Sequence, residues 1–308
     1  MKNAIFYYYN LSPLKVYQKL NSVYFYIDDI KYIFMPFNRD VSEVETLINI
    51  SNTLFKKGVL VHTFIINKYN SFICNYNDTA YVLLRVNDIT DDEVTLQDII
   101  KFDNSLVLKN NITLLGNSWG ELWEIKIDNI EKSISDLNQE YPLIRSSVSY
   151  FIGIGENALE YANNALIEAK GSDELRYVVS HRRIIDNINY DYLYNPLTFT
   201  IDYDVRDIAE YIKMMFFSKK FDFMELEDMM NKYKLSDLQA KLLYSRLLYP
   251  TYYFDLIEEI ILGNRDEKDI IIITDLVSNY EDLLFDIYNL IKKYNNIPPI
   301  EWILRQKE

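Results

Sequence analysis

Apolar positions change their period along the chain, and the change divides it. Residues 23–27 and 30–37 are β-rich runs flanking Asp28-Asp29, a pattern that predicts a tight hairpin, with Pro36 ending the second strand. Over 40–57, Val44, Leu47, Ile48, Ile50, Leu54 and Phe55 fall largely at helical spacing, and Gly58 provides a stop. Further strands are expected at 59–66, 71–75 and 81–86. Beyond them the helical period dominates. Ser118 and Glu121 have capping-box spacing, and Trp119, Trp123, Ile127, Ile130, Ile134 and Leu137 form one apolar stripe. A second helix is expected over 142–169. The period is lost from 177 to 200 and returns at 204–217, 224–233, 236–263 with a break at Pro250, and 266–294.

The expected architecture is α+β: a small antiparallel sheet with one helix, a connector, then a larger helical body interrupted by a loop-rich insert. The boundary falls near Asp88, Asp91, Asp92 and Glu93, giving an N-terminal β-rich lobe over 1–88 and a mainly helical lobe over 89–308. This order suits a two-lobed, protein-kinase-like fold. The acidic residues lack calcium-loop spacing and read as a solvated connector.

Charge narrows the partners. The 308 residues carry 46 acidic and 32 basic side chains, a formal charge of −14, which repels phosphate backbones and argues against general nucleic-acid or anionic-membrane binding. One cysteine, Cys74, cannot form an internal disulfide, and with two histidines it is too little for a typical structural zinc site. No signal-peptide pattern and no long apolar run stands out, so synthesis in the cytoplasm without a membrane span is expected. Tyrosines number 27 and phenylalanines 16. This abundance is as compatible with an AT-rich coding sequence as with function.

The candidate chemistry is phosphoryl transfer. Such a site needs a lysine on the phosphates, a carboxylate to orient or deprotonate the nucleophile, and carboxylates that hold Mg²⁺. Asp202 follows His181 by 21 positions (202 − 181), close to the usual gap between a catalytic loop and a metal-binding acid. The acid expected two residues after the histidine is Arg183. The expected strand lysine is Met35, and the Asp28-Asp29 turn would oppose a triphosphate. Glu43 or Glu45 stands where a glutamate would pair that lysine, and either also reads as a solvated helix residue. Asn187 and Asn189 lie near, but not at, the spacing for a second metal ligand. Each feature has a plainer reading: His181 as a loop-bonding histidine, Arg182 and Arg183 as surface or salt-bridged cations, Asp202 as a cap on the following turn. Asp204 and Asp207 would favour a helix N-terminus, and Cys74 and His62 read as packed or strand residues.

In order along the chain, Trp119-Gly-Glu-Leu-Trp123, Phe151-Ile-Gly-Ile-Gly-Glu-Asn-Ala-Leu-Glu-Tyr161, Ser180-His-Arg-Arg183 and Ile201-Asp-Tyr-Asp204 resemble the YutH group of endospore coat-associated proteins, within the CotS family. That family is similar to aminoglycoside phosphotransferases and shares the kinase-like fold. The resemblance covers about 23–253 and implies a sporulation-specific structural or assembly role, with other coat or coat-assembly proteins as partners and the spore coat as destination. It maps the family's histidine, catalytic aspartate and metal-binding aspartate to His181, Arg183 and Asp202. A guanidinium cannot accept the nucleophile's proton, and losing a positioned base removes about 10²- to 10⁴-fold in rate. The expectation is a catalytically inactive, pseudokinase-like protein with no cofactor and with Asp202 as the one candidate metal ligand. The alternative is an active or nucleotide-binding phosphotransferase using Mg-ATP.

Overall fold

A computed structural model describes residues 1–87, 92–108, 119–136, 141–170 and 174–305. Asp88, Asp91, Ser118 and Leu137, used above for the connector and the capping stripe, lie outside these residues. In chain order the elements are α1 (Lys2–Tyr9), β1 (Tyr17–Lys19), β2 (Ser22–Ile27), β3 (Ile30–Pro36), α2 (Val44–Lys56), β4 (Thr63–Phe64), β5 (Ile73–Tyr76), β6 (Thr79–Arg85), α3 (Leu96–Asp103), β7 (Val107–Leu108), α4 (Trp119–Asp136), α5 (Pro142–Glu168), β8 (Tyr177–His181), α6 (Tyr190–Leu193) and β9 (Phe199–Tyr203). They continue as α7 (Arg206–Phe217), α8 (Phe223–Lys232), α9 (Asp237–Leu248), α10 (Thr251–Ile261), α11 (Ile270–Thr274), α12 (Val277–Lys292) and α13 (Glu301–Arg305).

These elements form two compact units. Unit 1 combines Met1–Leu115 with Tyr177–Asp202, and unit 2 combines Gly116–Arg176 with Tyr203–Glu308. The sequence placed one boundary at 88/89. In the structure the chain leaves unit 1, builds two helices of unit 2, and returns, so the loop-rich insert belongs to unit 1, where β7, β8 and β9 form a second sheet.

Unit 1 holds an antiparallel sheet ordered β1-β2-β3-β6-β4, with β5 also on β6. Ile27 pairs with Ile30 around Asp28 and Asp29, whose φ of 49° and 62° are those of a tight type I′ hairpin turn. The sheet starts one strand earlier than expected, because β1 pairs with β2. One face carries Val23, Phe25, Phe34, Tyr81 and Leu83, covered by Ala4, Ile5 and Tyr9 of α1. The tyrosine-rich N-terminus is therefore a helix packed on the sheet. Alternation puts Lys31, Ile33 and Met35 on the opposite face of β3. Gly58 closes α2 at φ 87°, a conformation that favours glycine.

Three predicted elements are corrected. The strand expected over 59–66 shrinks to β4, because His62 turns its backbone N–H to the Tyr194 carbonyl at 2.9 Å. The loop-rich insert expected over 177–200 contains β8 and the start of β9, which begins at 199 because Asn195 caps a 3-10 turn at Pro196–Thr198. The single helix expected over 266–294 is a 3-10 turn at Glu267–Asp269, then α11 and α12, capped at its start by Asp266.

Unit 2 is helical. α5 packs against α4 and α9, and α7 against α9. Gly155 lets α5 approach closely: an added Cβ would lie 3.2 Å from Ile127 Cδ1 and 3.4 Å from the Phe254 ring. Between α7 and α9, Glu210 lies 2.8 Å from Lys213 and 2.7 Å from Arg246. Lys213 also donates to the Arg246 and Tyr249 carbonyls at 3.1 and 3.4 Å, serving the negative end of α9. The Arg246 guanidinium stacks over Trp119 and Trp123 at 5.1 and 5.6 Å from the ring centres.

Candidate functional site

Every position compared with a phosphotransferase site falls in unit 1, and most have a partner within the protein. His181 ends β8, fully buried, its ring between Phe102, Phe199 and Tyr192. Its Nε2 lies 2.9 Å from the Leu193 carbonyl, and because a carbonyl only accepts, Nε2 carries the proton. The imidazole thus ties β8 to the end of α6. Arg183 is exposed, and its carbonyl accepts from the Tyr192 hydroxyl at 2.6 Å. Asp202 is half-buried on the more open face of β9, where Phe199, Ile201 and Tyr203 point inward.

Met35 points from β3 toward the 190–199 segment, and the Asn195 carboxamide donates to its sulfur at 3.9 Å. Four residues back on the same face, the Lys31 ammonium lies 2.7 Å from an Asp191 carboxylate oxygen, with both side chains largely buried. His62 completes the arrangement. Fully buried, it donates from Nε2 to the Asp191 carbonyl at 3.2 Å, and its own carbonyl accepts from Ser51 at 2.6 Å. Arg39, just beyond β3, reaches the Leu197 and Phe199 carbonyls at 3.0 and 2.6 Å and pairs with Glu43. Glu43, considered as partner to a strand lysine, therefore serves an arginine, and Glu45 is exposed.

These contacts form a clamp. An irregular backbone segment has carbonyls that no helix or ladder satisfies, and burying them without partners is costly. Arg39 and His62 supply partners to the carbonyls, while Lys31 and Met35 meet the Asp191 and Asn195 side chains, together holding 190–199 against β3 and α2. Sequence reasoning did not foresee the pairing of Lys31 with Asp191 and took His62 for an ordinary strand residue. One signal was present: Lys31 shares a strand face with Met35 through the two-residue alternation.

The remaining candidates serve local structure. Asn189 caps α6, accepting from the Tyr192 amide at 3.1 Å, and Asn187 is an exposed turn residue at φ 55°. Asp204 belongs to unit 2. It accepts from Gln239 at 2.6 Å and lies 3.4 Å from Arg176, and burial raises its pKa against those two partners. Fully buried Asp207 lies 3.5 Å from Arg206. Cys74 is buried, receives the Tyr9 hydroxyl at 3.8 Å, and is pushed up in pKa by burial, as suits a packed thiol.

The fold family implies magnesium and a nucleotide. Magnesium takes carboxylate and phosphate oxygens. Of the compared positions His181, Arg183, Met35 and Asp202, Asp202 alone offers a carboxylate, and Met35 offers a thioether, which carries no charge. Among the described residues no three His, Cys, Asp or Glu side chains gather as a metal cluster, and no helix is long and apolar enough to cross a membrane.

The family description "Spore coat putative kinase YutH" matches residues 2–283. The chain belongs to this family. Endospore coat-associated protein YutH of Bacillus subtilis strain 168 is 27% identical over 163 residues, an alignment covering 49% of this chain and 48% of that protein, so the chain spans about half the length of the relative it matches. An aminoglycoside phosphotransferase from Alicyclobacillus acidocaldarius superposes with a TM-score of 0.72 over 95% of this chain and 97% of that one, at 10% identity. Spectinomycin phosphotransferase APH(9)-Ia with ADP and spectinomycin superposes with a TM-score of 0.57 over 95% of this chain and 92% of that one, also at 10% identity. At such identities the likeness is one of fold. The YutH resemblance and the α+β, kinase-like architecture expected from the sequence are both borne out.

Proposed function

We propose that this YutH-family chain is a pseudokinase-like protein with a binding or assembly role in the endospore coat. The clamp carries this reading: the face of β3 that would offer a lysine to phosphates is engaged by Asp191 and Asn195 of the chain itself. Arg183 in place of an acid agrees, since a guanidinium carries charge but accepts no proton. Other coat or coat-assembly proteins are its partners, with synthesis in the cytoplasm and the coat as destination. No nucleotide or metal is needed. The test is a thermal-shift titration with Mg-ATP at millimolar concentration, followed by phosphoryl transfer to coat extracts. The expected result is no shift and no labelling. A Mg²⁺-dependent stabilisation, with labelling abolished by Asp202→Ala, overturns the reading.

A second reading keeps nucleotide binding or phosphotransferase activity with Mg-ATP. One observation favours it: Lys31 stands on the same face of β3 as Met35 and carries an ammonium. In that case Lys31→Met abolishes the nucleotide-induced shift.

A further inference from the structure

The acidic net charge hides an uneven distribution. Residues 1–27 and 46–77 hold six lysines and none of the chain's 46 acids. Both segments belong to unit 1, and the fold gathers parts of them on one face. α1 buries Ala4, Ile5 and Tyr9 and turns Lys2, Phe6 and Tyr7 outward. Leu11 and Val16 pack on the same core as α1, which lays Leu14 alongside the helix, where its carbonyl accepts from Lys2 at 3.4 Å. At the other end of α1 the Lys68 amide donates to the Tyr8 carbonyl at 2.9 Å, and the Lys68 ammonium lies over the Tyr7 ring, 4.4 Å from its centre.

Two leucines beside this helix add no packing to the fold. Leu14 is 94% exposed and Leu20 is 90% exposed. Leu20 also holds φ 52° at the first position of the two-residue turn between β1 and β2, a conformation that favours glycine or asparagine. A leucine there strains the backbone without burying its side chain, which points to a use outside the fold. The turn is fastened to the core under α1, because Tyr81 of that core donates from its hydroxyl to the Asn21 carbonyl at 3.3 Å.

Each protruding leucine has an exposed lysine as its neighbour in the chain, Lys15 beside Leu14 and Lys19 beside Leu20. This combination suits a bilayer interface. Apolar tips enter the acyl boundary, phenol rings sit at headgroup level, and lysine stems lie along the apolar layer while their ammoniums stay with lipid phosphates. An acidic protein surface would satisfy the lysines, but the leucines need an apolar medium as well.

We propose that this face of unit 1 docks on an anionic lipid bilayer, with Leu14 and Leu20 entering the acyl boundary and Lys2, Lys15, Lys19 and Lys68 against lipid phosphates. The contact is peripheral: among the described residues no helix is long and apolar enough to cross a membrane. The overall charge of −14 disfavours general attraction to anions, and the local absence of acids makes this face the exception.

Sedimentation of the full chain with vesicles of phosphatidylcholine and phosphatidylglycerol, against vesicles of phosphatidylcholine alone, tests it. Binding is expected to the first only and should weaken with salt. Leu14→Ser should weaken it about tenfold, and Lys2→Gln with Lys15→Gln about tenfold or more. Leu20→Asn separates docking from folding: asparagine suits the turn, so stability in urea should hold or rise while vesicle binding falls about fivefold. Leu262→Ser removes an exposed leucine of unit 2 and should change affinity by less than about twofold. Equal binding to both kinds of vesicle, binding to neither, or a loss in Leu262→Ser as large as in Leu14→Ser overturns the proposal. So does oligoglutamate that binds as tightly as the vesicles and is indifferent to Leu14→Ser, the mark of an acidic protein partner.

Discussion

Lys31, Asp191 and His62 in unit 1 and Glu210, Lys213 and Arg246 in unit 2 are drawn from the same chemical stock, yet they hold different things. In unit 2 the charges serve regular structure: Lys213 meets the carbonyls at the end of α9, and Arg246 stacks on the tryptophans of α4. In unit 1 they fasten the 190–199 segment: Lys31 pairs with the Asp191 carboxylate, and His62 donates to the Asp191 carbonyl. Buried charge therefore does not by itself mark a catalytic centre. What each group is bonded to decides, and the buried charges of the clamp are bonded to other groups of the same chain.

Removing the shared carboxylate of unit 2 should have the largest effect. Glu210→Ala leaves Lys213 and Arg246 without their counter-charge and should cost about 3–5 kcal/mol in urea denaturation. A loss below about 1 kcal/mol would mean that water reaches the cluster. Next comes the clamp. Asp191→Ala should cost about 2–3 kcal/mol, and Lys31→Met combined with Asp191→Leu should recover most of it, because the pair can be replaced but not halved. A double variant no better than Asp191→Ala would show that His62 and the backbone, not the ion pair, hold the segment.

The smallest effect is a pH dependence confined to unit 2. Burial pulls Lys213 down to about 8 from an ordinary 10.5, with Glu210 opposing and Arg246 adding to the fall. Between those values the unfolded chain binds more protons than the native one, so the lysine's contribution to stability rises with pH across that window. Below it the lysine is charged in both states and the full cost of burying the charge remains. Glu210 changes in the same sense but at lower pH: burial alone would raise it, but Lys213 and Arg246 hold it below the carboxylate range, so its contribution also grows with pH and is lost in acid. Denaturation of the native chain against Lys213→Met, from neutral to alkaline pH, isolates the lysine's share. A difference that stays flat shows that Lys213 is solvated.

Much of the fold was legible in advance because local patterns carried it. The Asp28-Asp29 hairpin, α2 with its Gly58 stop, and the breaks at Asp204 and Pro250 follow from period and turn chemistry. The N-terminal helix was obscured because Phe6, Tyr7, Tyr8 and Tyr9 have no helical alternation; α1 buries Ala4, Ile5 and Tyr9 against the sheet and leaves Phe6 and Tyr7 exposed. The run at 266–294 reads as one helix because its apolar residues stay in period across the turn between α11 and α12. At the candidate site, His181, Arg183, Asp202 and Met35 could be placed in sequence, but the groups that engage β3 could not. Lys31 and Asp191 are 160 residues apart, and no local pattern links them.

The sequence alone determined the family, the order of the secondary elements, and the residue types at the compared positions, with arginine at 183 and methionine at 35. These are properties of residue identity and short-range spacing. Tertiary structure decided that the 177–202 insert joins unit 1, with β8 and β9 in a sheet with β7, that His181 and His62 fasten backbone carbonyls, and that Lys31 pairs with Asp191. Hydrogen bonds and ion pairs depend on distances between segments far apart in the chain, and only the fold sets those distances.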